Sequence, residues 1–281
     1  TATRHSRTWR NASKLSTMST QKINFVSPDE AVRLIESGDH VYIQGSTSIP
    51  EVLCEALARR GNELKDVTLY SAFAVAKGPA PYCKPEFKDT FLVNSFFVSN
   101  SVRKWIAEGY GVTTPRFLGE VPELFRDGTC RVDVALINCS EPDEEGYVSF
   151  GISADLATSA VECADRVIAQ INKYMPYSYG DARIHVSQLA AAVRADEPLV
   201  EVPTAVPTEK EIRIGNFIAE HIPDGATLQL GIGAIPDAVL LFLKEKNDLG
   251  IHTEMFSDGV VELAEAGVIT NAKKTLHPGK F

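Results

Sequence analysis

The sequence predicts an α/β fold built on open parallel sheets, and three observations carry that prediction. Short apolar runs rich in Val and Ile alternate with stretches of helical periodicity. Two of the strand-like runs lead into glycine-containing loops, each followed by a helix pattern that opens on a proline and an acid. The second of these units repeats the first at a spacing of 186 residues: with Gly45 placed on Gly231, Ile49-Pro50-Glu51 falls on Ile235-Pro236-Asp237 and Leu57 on Leu243. Convergence on a common strand-to-helix loop would give a similar local match, but the preceding helix and turn also align, and a repeated domain is the simpler account.

The elements follow in order. Ser27-Pro28-Asp29-Glu30 has the form of a capping box, with Pro28 at the first helical position. Ala31, Val32, Leu34 and Ile35 give that helix its apolar face, and Gly38 ends it. Val41–Gln44 reads as a strand and Glu51–Arg60 as a helix whose Val52, Leu53, Ala56 and Leu57 face inward. Val67–Tyr70, Val132–Asn138 and Arg166–Ile171 read as buried parallel strands, with a helix between the last two from Asp155 to Ala164. Pro198, Pro203 and Pro207 make Glu197–Thr208 a stiff linker. Beyond it come a helix, Glu209–Glu220, a strand, Ala226–Leu230, the glycine loop Gly231–Pro236 and a helix, Asp237–Lys246. Gly250–Gly259 reads as a strand with its C-terminal loop.

The domain reading is therefore a leader over 1–22, a first α/β domain over 23–208, and the first part of a second over 209–281. A first domain of about 186 residues makes the 73 that follow the linker look short of a full copy. The chain is accordingly expected to stop partway through its second domain, and as a fragment to be inactive and poorly soluble through exposed apolar edges.

Composition narrows the function classes. The 281 residues are 44% hydrophobic and 23% charged, ordinary values that exclude a disordered, collagen-like or coiled-coil chain. The longest strictly apolar run, Ala238–Leu243, is far below the roughly 18 residues of a membrane span, so no membrane partner is expected. A net charge of −9 argues against a general nucleic-acid binder. Five scattered cysteines with no CxxC pair suggest neither a disulfide framework nor a thiol zinc site, and no His or carboxylate set has metal-ligand spacing. Before Asp29 there is no acid, while Arg4, Arg7, Arg10, Lys14 and Lys22 are all basic. That start resembles a mitochondrial transit peptide; upstream sequence with Met18 as the true start, and a cytoplasmic location, is the alternative.

The loop Gly231-Ile232-Gly233-Ala234-Ile235 closes a strand and precedes a helix, where free N–H groups and a partial positive charge suit a phosphate or an oxyanion. It is not the dinucleotide fingerprint, since Pro236 stands where the third glycine belongs, and no Gly-Lys-Ser/Thr follows. A tight strand-to-helix turn explains the same glycines. Glu254 would lie close to this loop if its strand neighbours the one before Gly231. A lone Glu near a strand end is otherwise a solvated side chain, and His252 a packing or hydrogen-bonding one.

Taken together, Leu230-Gly231-Ile232-Gly233-Ala234-Ile235-Pro236-Asp237-Ala238-Val239, Gly250-Ile251-His252-Thr253-Glu254-Met255 and Ser257-Asp258-Gly259 resemble the 4-hydroxybutyrate CoA-transferase/acetyl-CoA hydrolase family. Val132–Ile137, Pro142-Asp143-Glu144, Gly146-Tyr147 and Ile168–Pro176 agree, so the resemblance runs from about Ile23 to Phe281. It implies two similar α/β domains of the class I CoA-transferase kind with an active site between them. It implies that Glu254 matches the catalytic glutamate, and that Gly231, Ile232, Gly233, Ala234 and Ile235 match the loop that contacts CoA. It also implies an acyl-CoA and a short-chain carboxylate as partners, with no permanently bound cofactor, CoA being substrate and covalent thioester intermediate. It leaves a homo-oligomer open. One departure stands out: where relatives commonly carry Arg-Thr after Met-Pro, this chain has Tyr177-Ser178.

A carboxylate nucleophile suits CoA transfer. It attacks the donor carbonyl, releases CoA thiolate and is then converted to a glutamyl-CoA thioester, which the acceptor acid reverses. An acyl-CoA hydrolase on the same fold and a non-catalytic CoA-binding paralogue are the alternatives. Among other candidates, Arg103 reads as an exposed helix charge, Asp143-Glu144-Glu145-Gly146 as a solvated turn, and Cys54 and Cys163 as packing residues. Cys139 follows a strand with no His or Lys placed to activate it.

Overall fold

A computed structural model describes residues 23–281. The basic segment read as a leader lies outside them. The chain divides into two compact units, one ending at Val200 and the other running Glu201–Phe281.

The first unit is a seven-stranded parallel sheet. The capping box at its start is formed: the Ser27 hydroxyl accepts from Glu30 N at 3.2 Å while Ser27 N donates to the Glu30 carboxylate at 2.9 Å. The helix it caps is short, α1 at Pro28–Ala31, and tightens into a 3₁₀ turn over Val32–Leu34. Then come β1 (His40–Ile43), α2 (Glu51–Arg59), β2 (Val67–Ser71), β3 (Phe91–Ser95), α3 (Asn100–Ala107) and β4 (Gly111–Thr113). The second half holds α4 (Val121–Arg126), β5 (Val134–Cys139), β6 (Tyr147–Ser149), α5 (Ala157–Cys163), β7 (Arg166–Asn172), β8 (Arg183–His185) and β9 (Ala191–Ala195).

The strand order is β4-β3-β2-β1-β5-β7-β9, and every pairing in the sheet is parallel. The chain builds outward from β1 to β4, then returns to the other side of β1 with β5. The order thus reverses between β1 and β5, where open α/β sheets form a crevice beyond the strands' carboxyl ends. Alternation along each strand sorts the core into two layers. Val41, Ile43, Leu69, Val134 and Leu136 pack with α1, α2 and α3 on one face. Tyr42, Tyr70, Ala135 and Ile137 pack with α4 and α5 on the other, where the antiparallel pair β6–β8 adds Val148 and Ile184.

Gly45, just past β1, is required by close approach: a Cβ there would stand 2.1 Å from the Ala72 carbonyl oxygen. Residues 196–208, with their three prolines, hold neither helix nor strand.

The second unit repeats the opening order of the first: helix, strand, helix, parallel strand. These are α6 (Glu209–Glu220), β10 (Thr227–Leu228), α7 (Ala234–Leu241) and β11 (Gly250–Ile251), followed by α8 (Asp258–Glu265). A capping box from Thr208 to Glu211 opens α6. Gly215 lets α6 lie against α7, since a Cβ there would meet the Ala238 carbonyl carbon at 2.7 Å. Val239, Leu240, Leu243, Leu249, Ile251 and Leu263 are among the residues of this unit's own core.

Three expectations need correction here. The strand Ala226–Leu230 is only Thr227–Leu228, because its ladder partner β11 is equally short. The helix expected over Asp237–Lys246 runs Ala234–Leu241, so Ala234 and Ile235 form its first turn rather than part of the loop. Pro236 is tolerated at the third helical position because N–H groups of a first turn have no partner within the helix. Finally, Asp258 and Gly259 are not the tail of a strand loop but the first residues of α8.

Candidate functional site

The second unit brings the glycine loop and Glu254 to one end of a two-stranded ladder. β10 and β11 pair in parallel, Thr227 with Gly250 and Leu228 with Ile251, and His252 N donates to Leu228 O at 2.9 Å. Continuing that register sets Leu230 beside Thr253, and Glu254 beside the start of the loop. The condition under which the sequence places Glu254 near Gly231, neighbouring strands, is therefore met.

Side chains fasten this arrangement. The Thr253 hydroxyl donates toward Leu230 O at 2.7 Å, accepts from Leu230 N at 3.2 Å, and lies 2.9 Å from Met255 O. One side chain thus ties the segment before Glu254 to the residue before Gly231. The Gln229 amide Nε2 donates to both carboxylate oxygens of Glu254, at 3.1 and 3.4 Å.

Glu254 is exposed. Its carboxyl is held below its ordinary value, first by hydrogen bonding to its own backbone N–H, then by Gln229 and Thr253, against a desolvation that works the other way. It is therefore an ionised, solvent-accessible, oriented carboxylate.

The loop faces solvent as well: Gly231, Ile232, Gly233 and Ile235 are exposed and Ala234 is half-buried. Gly233 is the N-cap of α7 with φ of 116°, a left-handed conformation that favours glycine. Ala234 and Ile235, in the first turn, present N–H groups free of intrahelical partners at the positive end of the helix. Such an end holds phosphate or other anions.

The remaining candidates do not join this ladder. Asp143 organises a turn, accepting from Glu145 N at 3.0 Å and Tyr147 N at 2.8 Å. Tyr177 donates its hydroxyl to Asp143 at 2.6 Å. The Arg183 guanidinium covers the Tyr147 ring at 4.4 Å in the same cluster. Arg103 is an exposed charge on α3. Cys54 is fully buried, and Cys163 is half-buried. Cys139 ends β5 fully buried, and burial pushes its thiol far up, so it is no nucleophile.

No cluster of three or more His, Cys, Asp or Glu able to hold a metal ion occurs among the described residues, and no described helix is long and apolar enough to cross a membrane. Sequence reasoning missed Gln229 and Thr253. The only signal for them is the ladder register, which turns two residues distant in sequence into neighbours of Glu254 and Leu230.

Known proteins match this chain over most of its length. The "Acetyl-CoA hydrolase/transferase N-terminal domain" family matches residues 11–204. The chain is 47% identical over 260 residues to the 4-hydroxybutyrate coenzyme A transferase of Clostridium kluyveri, covering 92% of this chain and 60% of that protein. It is 42% identical over 255 residues to the succinyl-CoA:acetate/propanoyl-CoA:succinate CoA transferase of Fasciola hepatica, covering 90% of this chain and 52% of that one. The crystal structure of 4-hydroxybutyrate CoA-transferase from Porphyromonas gingivalis matches with a TM-score of 0.79 at 40% identity, covering 91% of this chain and 60% of that one. The chain thus spans about half to three-fifths of the length of these relatives. With the family match covering more than half of its residues, the chain belongs to the acetyl-CoA hydrolase/transferase family.

Proposed function

We propose that this protein transfers coenzyme A between a short-chain acyl-CoA and a free carboxylic acid, with Glu254 as the nucleophile. The observation that carries the reading is the ionised Glu254 carboxylate, exposed and oriented by Gln229 beside a glycine loop and the N-terminus of α7. Relatives named as transferases using 4-hydroxybutyrate, succinate, acetate and butyrate support the substrate class.

In this mechanism the Glu254 carboxylate attacks the acyl-CoA carbonyl, giving an acyl-glutamyl anhydride and CoA thiolate. The thiolate attacks the glutamyl carbonyl, giving glutamyl-CoA and the free donor acid. The acceptor acid then runs the two steps in reverse, a ping-pong sequence. Each attack places negative charge on a carbonyl oxygen. N–H groups of the Gly231–Ile235 segment are the donors for that oxyanion or for CoA itself, and one such donor is typically worth about 2.7–4 kcal/mol.

The test uses the native gene product with acetyl-CoA and butanoate. Formation of butanoyl-CoA without free thiol is expected. Free thiol without a new acyl-CoA would replace transfer with hydrolysis, and neither product would leave a CoA-binding protein without this chemistry.

A further inference from the structure

The face of the β10–β11 ladder that carries Glu254 holds a second reactive side chain. Thr227 pairs with Gly250 and Leu228 with Ile251, so the next pair in register is Gln229 with His252. The bond from His252 N to Leu228 O, at 2.9 Å, carries the ladder on to that pair. Leu228 and Ile251 pack into the core of this unit, so by alternation Gln229 and His252 face away from it. Both are exposed. His252 is therefore neither the packing nor the hydrogen-bonding histidine expected from the sequence: its ring has no partner among the described residues.

Gln229 links the imidazole to the nucleophile. It stands across the ladder from His252, one strand spacing of about 4.8 Å away. Its Nε2 donates to the Glu254 carboxylate at 3.1 and 3.4 Å. Along the chain the Cα atoms of His252 and Glu254 are at most about 7 Å apart. Because Gln229 already orients the carboxylate, the His252 ring N–H is left for another acceptor. Lys274 cannot stand in for it. That side chain covers Gly250, where a Cβ would meet its Cγ at 2.6 Å, and its Nζ donates to the Lys280 carbonyl oxygen at 2.6 Å.

We infer that His252 is a catalytic residue of this site, its ring N–H receiving the sulfur of CoA when the thioester is cleaved. The inference rests on the CoA-transfer reading with Glu254 as nucleophile. When a Glu254 oxygen adds to the thioester carbonyl, that oxygen and the sulfur share one carbon, so the sulfur leaves from beside Glu254. The C–S bond breaks and its electron pair stays on sulfur as thiolate. The His252 N–H donates a hydrogen bond to the thiolate and keeps its proton. The thiolate then attacks the glutamyl carbonyl, the bond from that carbon to the bridging oxygen breaks, and the donor acid leaves as carboxylate. Gln229 thus orients the nucleophile and His252 the leaving group. Holding the sulfur also decides the product. A thiolate that escapes leaves the anhydride to water, which regenerates Glu254 and releases the acid, so the net reaction becomes hydrolysis of the acyl-CoA.

The test compares the native gene product with His252→Leu and His252→Gln, using acetyl-CoA and butanoate and following butanoyl-CoA together with free thiol. His252→Leu, which has no donor, is expected to lower kcat for transfer about 100-fold with the KM for acetyl-CoA within about twofold. It is also expected to raise the free thiol formed per butanoyl-CoA at least about tenfold. His252→Gln, whose amide donates, is expected to keep transfer within about tenfold of the unsubstituted protein. A residue that only supports the fold would lower transfer and leave the ratio of thiol to product unchanged. An unchanged ratio in His252→Leu, or an equal loss in both variants, overturns the proposal. The covalent adduct separates the two readings. With a CoA adduct on Glu254 of the unsubstituted protein, the glutamate reading stands whatever His252→Leu does; transfer without that adduct removes both.

Discussion

Thr253→Val removes one hydroxyl and changes little in shape. That hydroxyl serves Leu230 N, Leu230 O and Met255 O at 3.2, 2.7 and 2.9 Å, and its single proton is shared between the two carbonyls. One donated and one accepted hydrogen bond at about 0.5–1.5 kcal/mol each give an expected loss of about 1–3 kcal/mol. The loss falls where β10 and β11 are only two residues long, leaving the His252–Leu228 and Gln229–Glu254 hydrogen bonds to hold their carboxyl ends. Glu254 is the next residue, and a displacement of about 1 Å at a reacting group can cost about 100-fold in rate. Urea unfolding and single-turnover CoA transfer, measured on the native gene product and the variant, check both parts. A variant with unchanged midpoint and a transfer rate within about twofold would refute the argument that Thr253 positions Glu254.

Two further outcomes follow from the same geometry. Gln229→Leu takes away a donor that keeps the Glu254 carboxyl low, so its pKa rises toward the ordinary value; because the nucleophile must be ionised, the acid limb of kcat/KM moves to higher pH, and an unmoved limb would contradict this. Gly45→Ala drives a Cβ to 2.1 Å from the Ala72 carbonyl oxygen, which forces β1 and β2 apart at their carboxyl ends and is expected to cost about 1–3 kcal/mol in urea unfolding.

What the sequence shows and what it hides have physical causes. β1, β2, β5 and β7 are legible because both faces of a central parallel strand are buried, which demands continuous apolar runs. The boundaries of α6 match because Thr208 and Glu211 write its start chemically. β9, with the sequence AAVRA, lacks β-branched residues apart from one Val and has a mixed burial pattern, so it escapes notice at the sheet edge. β4, β6 and β8 are three residues each, too short to show a period.

At the candidate site, Glu254 and the glycine loop are visible as motifs. Gln229 and Thr253 are not, because their roles exist only once the β10–β11 register is known. The start of α7 is hidden for a different reason. Proline favours the first helical position, but here Gly233 sets the cap and Pro236 sits third.

The most direct measurement is the intact mass of the native gene product after exposure to acetyl-CoA, followed by peptide mapping. A covalent CoA adduct on Glu254, absent in Glu254→Gln, is the predicted result. Turnover with an adduct on another residue, or undiminished turnover in Glu254→Gln, would contradict the account.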